Sequence, residues 1–229
     1  MKVAIHQPNF LPWIGYFNKI RQVDKFIFLD DVQFERGKTY TSRTKILVQG
    51  KEFWMTVPVN NKSALMNIRD IQVDSSFIWK KKQLKTLMLS YKKAPFFDEV
   101  FSIIDLVYSQ KSTFLIDYNI PLIENICTYL ELHVEFQRSS EIINQDKSAI
   151  GMKKILNILI TTEATKYISG SGAGSKRYID EQLLSKREID LEWQKMKMIQ
   201  YPQINNEFKS HLSIIDLLFN CGPESGKYL

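Results

Sequence analysis

The run Lys2-Val3-Ala4-Ile5-His6-Gln7-Pro8-Asn9-Phe10-Leu11-Pro12-Trp13-Ile14-Gly15-Tyr16-Phe17, followed by Phe26-Ile27-Phe28-Leu29, decides the fold. Residues 2–5 form a short β-type run. Pro8 and Pro12 remove backbone donors and hold the chain between them extended or turned. Pro12 suits the first position of a helix. Trp13, Ile14, Phe17 and Ile20 then recur at helical spacing, which predicts a helix over 12–22. Phe26–Leu29 is a near-continuous apolar run, the pattern of a parallel strand buried on both faces. Strand, helix and strand together predict a βαβ unit, the usual opening of a doubly wound sheet.

Outward from this unit the periodicity changes. Thr41, Arg43, Lys45 and Leu47, then Phe53, Met55 and Val57, alternate with a period near two around Gln49-Gly50-Lys51. This predicts a β-hairpin at about 40–59. Asn60-Asn61-Lys62-Ser63 reads as a polar loop, and Ile68–Val73 as a third extended piece. Residues from about 75 to 130 read as helical: an Asp74-Ser75-Ser76 cap leads into 77–91, Ala94-Pro95 breaks the chain, and helices follow at 96–109 and 113–130. Beyond lie a strand at 133–137, a helix at 149–162 capped by Ser148, and a strand Lys166-Tyr167-Ile168. That strand enters Ser169-Gly170-Ser171-Gly172-Ala173-Gly174-Ser175, and a helical segment Tyr178–Leu184 follows. A strand near 189–193, a turn at Tyr201-Pro202-Gln203 and a C-terminal helix 213–220, stopped by Asn220 and Gly222, complete the chain. The expectation is one α/β domain over 1–229. Its N-terminal βαβ unit opens a mainly parallel, Rossmann-like or nucleotidyltransferase-like sheet, with an inserted hairpin and a helical middle region.

Composition narrows the class. The 229 residues are 44% hydrophobic and 24% charged, near the globular average, which excludes disorder, collagen-like repeats and coiled coil for the whole chain. The net charge of +6 is spread out, apart from Lys80-Lys81-Lys82 and a basic stretch over 186–197. It fits a solvated surface or attraction of an anionic ligand; a nucleic-acid partner would want a denser basic stripe. Cys127 and Cys221 form neither a disulfide framework nor a zinc pattern, which suits a reducing compartment. Polar residues and prolines interrupt any leader-like run near the start, and no apolar stretch reaches the ~20 residues needed to span a bilayer. A cytoplasmic protein without a membrane span is expected.

The residues that suit chemistry cluster where strands end. His6 closes the first strand, where open α/β sheets bind ligands; it suits a general base, a phosphate contact or a ring held by a backbone carbonyl. Gln7 and Asn9 add polar groups in a proline-stiffened loop. Asp30 and Asp31 close the second strand, where they suit Mg²⁺ held with phosphates, a sugar hydroxyl, an amine, or a plain surface turn. Adjacent acids in an extended chain face different sides. Arg43 and Lys45 share a hairpin face and suit a diphosphate or a solvated strand face. Three of the nine glycines lie within five residues at 170–174, where Ser169, Gly170 and Gly172 present backbone N–H groups after a strand. The spacing is neither a Walker A motif nor a dinucleotide fingerprint. Trp13, Gln33, Tyr178, Tyr201 and Gln203 complete the substrate-contacting candidates, and no metal ligand set is read. His211 and Asp216 suit a contact with each other or a capping role around Ser213.

In combination these pieces resemble the WbqC-like protein family. The matching residues are His6-Gln7-Pro8-Asn9-Phe10-Leu11-Pro12-Trp13, Asp30-Asp31-Val32-Gln33-Phe34, Thr56-Val57-Pro58-Val59, Tyr91-Lys92-Lys93-Ala94-Pro95, Ser139-Ser140-Glu141, Tyr167-Ile168-Ser169-Gly170 with Gly172, Tyr201-Pro202-Gln203, and 213–222. Ser42 stands where the family pattern has a second amide, and Lys81-Lys82 where a Lys-His pair is common. The resemblance implies a role in bacterial O-antigen or other surface-polysaccharide synthesis: a transferase that N-acylates or aminoacylates a nucleotide-linked amino sugar. The acyl donor stays open between an acyl-CoA and ATP with Mg²⁺. On this reading His6 takes the amine proton, Asp30 or Asp31 orients the amine, and Arg43, Lys45 and the 169–174 backbone hold the diphosphate. The alternatives are a non-catalytic sugar-nucleotide binding module, or a hydrolase or other transferase using His6.

Overall fold

The computed structural model describes residues 1–35, 37, 39–60, 65–142, 148–197, 199–204 and 207–229. The expected loop residues Asn61, Lys62 and Ser63 lie outside them. The chain divides into two compact units: Met1–Gln7, Asn18–Val32 and His133–Lys197 make the first, and Pro8–Phe17, Gln33–Leu132 and Met198–Leu229 the second.

The first unit is built on five parallel strands, β1 (Lys2–His6), β2 (Lys25–Phe28), β5 (Glu135–Arg138), β6 (Lys166–Ser169) and β7 (Asp190–Trp193), in the order β5-β2-β1-β6-β7. The chain walks outward from β1 through β2 to β5, then restarts on the other side of β1 with β6 and β7. The order therefore reverses between β1 and β6. Alternation explains why these strands lack a polar face. Val3 and Ile5 of β1 and Ile27 of β2 enter a core with Leu156, Ile158 and Leu159 of α5 (Gly151–Thr161), Tyr167 of β6 and Leu184 of α7 (Glu181–Ser185). Phe26 and Phe28 point to the opposite face, where Phe28 stacks on Phe136 at 5.2 Å.

The second unit holds the hairpin β3 (Arg43–Val48) and β4 (Lys51–Thr56). Gln49 and Gly50 form its two-residue turn with φ of 52° and 74°, the left-handed pair of a type I′ connection. Helices α2 (Ile78–Tyr91), α3 (Phe97–Ser109) and α4 (Ile116–Tyr129) follow, and α8 (Ile214–Cys221) comes near the C-terminus. Lys80 of α2 donates to the carbonyl oxygens of Tyr108 and Gln110, so a buried ammonium meets the negative end of α3. Gly222 ends α8 at φ 53°, and a Cβ there would lie 2.3 Å from the Phe96 ring; only glycine satisfies both. Within α1 (Ile14–Ile20) the chain passes from the second unit to the first at Asn18.

Several local expectations shift. The extended piece expected at Ile68–Val73 is extended only in its second half: Ile68–Asp70 is a 3-10 turn, and Gln72 and Val73 make isolated bridges to Phe114 and Val59. Apolar residues at 68 and 71 are three apart, the 3-10 spacing. The helix expected from Tyr178 instead begins inside the glycine-rich run as α6 (Ala173–Tyr178), and Asp180 opens α7 by accepting from the Leu183 amide at 3.0 Å. Ser148 is not the cap of α5, whose N-cap is Ile150. Asp74 shapes the turn before α2 by accepting from the Ser76 amide at 2.8 Å. Among the described residues no helix is long and apolar enough to cross a membrane.

Candidate functional site

Parallel strands end at one edge. In the first unit that edge collects His6 at the end of β1 and Gln7 beyond it, Asp30 and Asp31 just past β2, Ser139 and Ser140 after β5, Ser169 at the end of β6 and Gly170 beyond it, and Gln194 after β7. The register of β1 with β6 pairs Lys2 with Lys166 and Val3 with Tyr167, so its continuation brings the His6 and Gly170 ends side by side. The Gln194 amide donates to the Ser169 carbonyl at 2.7 Å. This edge includes the reversal of strand order, the position where open α/β sheets bind ligands.

His6 faces Gln7 O through Nδ1 at 3.1 Å. A carbonyl only accepts, so Nδ1 carries the hydrogen and Nε2 is the accepting nitrogen. Burial first, and then the charge of Lys19, lower the ring's pKa to about 3. The imidazole is therefore neutral at physiological pH, and below the near-neutral value that the sequence reading gave to a general base.

Asp30 and Asp31 face different partners, as an extended pair should, and each has a cation of its own. Asp30 is fully buried and takes Arg138 Nε at 2.8 Å, the Ser140 amide at 2.9 Å and the Ser140 hydroxyl at 2.7 Å. Asp31 meets Lys154 Nζ at 2.7 Å, and Ser139 donates to both carboxylates. With these oxygens engaged, the pair does not fit a Mg²⁺ site. Among the described residues no group of three or more His, Cys, Asp or Glu gathers as a metal would need.

The glycine-rich run is unusual because the fold does not require it. Gly170, Gly172 and Gly174 have no left-handed φ, and an added Cβ would meet only the Ser175 hydroxyl, at 3.7 Å from position 170. The backbone there is bare and accessible. Tyr178, at the end of α6, is exposed.

In the second unit the loop after the first strand is clamped. Asn119 Nδ2 donates to the carbonyls of Pro8 and Thr41, both at 2.8 Å, and the Leu11 carbonyl takes the Thr44 and Ser213 hydroxyls at 2.8 and 2.7 Å. Asn9 is buried. Trp13 lies over Gly15, whose Cβ would come within 2.3 Å of its ring, and stacks on His211 at 6.0 Å. Arg43 and Lys45 do share a face: the Arg43 guanidinium lies 4.0 Å from the Trp54 ring centre and Lys45 Nζ 5.6 Å from it. Lys45 pairs with Glu52 at 2.9 Å, whereas Arg43 Nε is buried without a partner. Gln33 is exposed and bridges Asn67.

Tyr201 and Gln203 converge on the buried Asp216. Tyr201 and Gln203 donate to Oδ2 at 2.7 and 2.8 Å, and Tyr91 donates to Oδ1 at 2.7 Å. Burial raises the acid's pKa, against the lowering effect of these hydrogen bonds. Tyr91 in turn accepts from the Leu47 amide at 3.0 Å, so the network ties α2, β3 and α8 together. Ser213 caps α8, and His211 stacks on Trp13 and sets its Nδ1 2.8 Å from the Ser210 hydroxyl. Cys127 and Cys221 are buried and unlinked. Burial, with Glu124 nearby, pushes the Cys127 thiol up to about 12, which removes it as a nucleophile.

The sequence reading missed Arg138, Lys154 and Lys19. The first two are the partners of the acid pair across the strand ends. Lys19 carried one signal: it falls three residues after Tyr16 and four before Val23, on a stripe that is otherwise apolar.

Comparison with known proteins gives the lineage. Over residues 7–228 the sequence matches the WbqC-like protein family. A relative in Mycobacterium tuberculosis, the uncharacterized protein Rv1507c, is 32% identical over 231 residues, spanning 100% of this chain and 97% of its own. No solved structure matches the chain significantly. Apart from His6, which precedes it by one residue, the strand-end residues, the clamped loop and the Asp216 network lie within the matched span, and the chain belongs to the WbqC-like protein family.

Proposed function

We propose that this chain is a transferase that N-acylates or aminoacylates a nucleotide-linked amino sugar in the synthesis of a bacterial surface polysaccharide. The observation that carries the reading is the strand order of the first unit, which sets the polar ends of β1 and β6 beside each other at its reversal. The bare backbone at 169–174 suits a diphosphate there. The sugar amine forms a bond to the acyl carbon, the bond from that carbon to its leaving group breaks, and the proton lost by the nitrogen passes to the departing thiolate or phosphate oxygen. His6, neutral and with Nε2 as acceptor, receives the amine's hydrogen bond and orients its lone pair. Its low proton affinity suits this better than storing the proton. The donor is an acyl-CoA or an activated acyl group made with ATP.

The test incubates the protein with UDP- and dTDP-linked amino sugars and acyl-CoA, or an amino acid with ATP and Mg²⁺, and reads product mass. An acylated sugar is expected, with turnover in His6→Asn reduced by much less than the roughly 10²–10⁴-fold of a lost general base, because the ring orients the amine. Tight binding of a sugar nucleotide without product from any donor would instead support a binding module, a reading favoured by the low proton affinity of His6. Neither binding nor product would reject both.

A further inference from the structure

The hairpin of the second unit is finished on one edge and open on the other. Its two-residue turn makes Val48 and Lys51 a hydrogen-bonded pair. By alternation, Leu47 with Glu52 and Lys45 with Trp54 are pairs whose backbone groups point outward. On β3 such groups are taken up: the Leu47 amide donates to the Tyr91 hydroxyl at 3.0 Å, and the Lys45 carbonyl accepts from the Ser213 amide at 2.7 Å. On β4 the Thr56 carbonyl accepts from Gln83 Nε2 at 2.9 Å. Among the described residues no hydrogen bond meets the outward amides and carbonyls of Glu52 and Trp54, because β4 is the last strand of a two-stranded sheet.

A groove of about 520 Å³ runs beside that edge. One wall is β4 from Phe53 to Thr56, and the other is the α2 face carrying Ile78, Trp79, Lys82, Gln83 and Thr86. The helix wall is fixed in place. Lys80 anchors it to the end of α3, and Gln83, which accepts from the Tyr108 hydroxyl at 2.5 Å, ties it to β4 at Thr56. The lining leaves groups unmatched. Phe53 and Ile78 are 46% and 54% exposed, and the indole Nε1 of the buried Trp79 has no partner. Asp74 is engaged by the Ser76 amide, whereas Lys82 is exposed and belongs to none of the ion pairs among the described residues.

Outward amides and carbonyls two residues apart, about 6.8 Å along the strand, match the backbone of another extended chain and no sugar or nucleotide. We propose that the groove takes an extended polypeptide segment of a partner protein. The segment adds to β4 as a third strand, sets apolar side chains against Phe53 and Ile78, and presents an acidic residue to Lys82. The site lies wholly within the second unit and does not depend on the proposed transfer reaction.

The test is fluorescence anisotropy on the full chain with a library of labelled, end-blocked eight-residue peptides that alternate apolar and polar residues around one glutamate. The tightest binder is then remade with N-methyl groups on one alternate set of amides, on the other set, and with lysine in place of glutamate. One N-methyl set should weaken binding at least about tenfold, since it removes the donors that face β4, and the other set should be tolerated. Lys82→Glu, a change at an exposed position, should weaken the glutamate peptide about 3- to 10-fold and favour the lysine peptide. Hydrogen exchange at the Glu52 and Trp54 amides should slow in the complex. No binding by any peptide, binding indifferent to both N-methyl sets, or unchanged exchange at Glu52 and Trp54 overturns the proposal. A dimer in sedimentation that excludes the peptides gives the edge to a second copy and also overturns it.

Discussion

Lys154 and Lys19 belong to the same unit and are similarly hidden from water, 4% and 2% exposed, yet the fold treats them oppositely. Lys154 meets a carboxylate at 2.7 Å, whereas burial lowers the pKa of Lys19 to about 7. The pair at Lys154 is architecture, closing α5 onto the strand ends.

The largest effect expected from this contrast is at Asp31. Asp31→Ala strands Lys154 without its partner and should cost about 3–5 kcal/mol in urea unfolding, whereas Asp31→Leu with Lys154→Met should regain most of that. A loss under about 1 kcal/mol would erase the distinction between the two lysines. Next comes pH. Between its folded value of about 7 and its ordinary 10.5, the unfolded chain holds a proton on Lys19 that the folded chain lacks. Stability therefore rises with pH across that window, by at most about 1.4 kcal/mol per unit, and flattens below it. His6, at about 3, is neutral throughout. Lys19→Met lacks the titrating group, so its advantage in stability over wild type should shrink as pH goes from 7 to 10 in guanidinium melts. A difference constant with pH would mean an ordinary lysine.

The smallest effect extends the contrast to glycines. Gly15 and Gly222 are held by the rings of Trp13 and Phe96, but Gly174 has open space around its missing Cβ. Gly174→Ala, inside α6, should stabilise by about 0.5–1 kcal/mol, read as a small rise in Tm, while Gly15→Ala should lower it. Destabilisation by Gly174→Ala would show that the fold needs that glycine after all.

The pattern of legibility follows from what carries each signal. Apolar runs at 2–5 and 26–29 made the parallel pair readable because burial on both faces leaves no other arrangement, and Gln49-Gly50 announced the hairpin by its turn chemistry. The break at Ile179-Asp180 was obscured because a one-turn helix such as α6 has too few residues to show a period. At the candidate site, the strand-end positions of His6, Asp30 and Ser169 were legible from where apolar runs stop. Their partners were not. Arg138 and Lys154 lie 108 and 123 residues from the acids they meet, and no local pattern encodes a pairing made by sheet order. The convergence of Tyr91, Tyr201 and Gln203 on Asp216 was hidden for the same reason.

The central strand has a consequence for how the chain comes into being. β1 is made well before one of its two neighbours, β6, which begins at Lys166, and the 100 residues from Gln33 to Leu132 belong to the other unit. During synthesis that unit gains most of its chain while β1 still has an open edge with unsatisfied backbone groups. Such long-range closure slows folding and prolongs the exposure of an edge prone to pairing with other chains. β1 thus waits long for the strand that covers its edge, and nascent chains halted before residue 166 are where aggregation should begin.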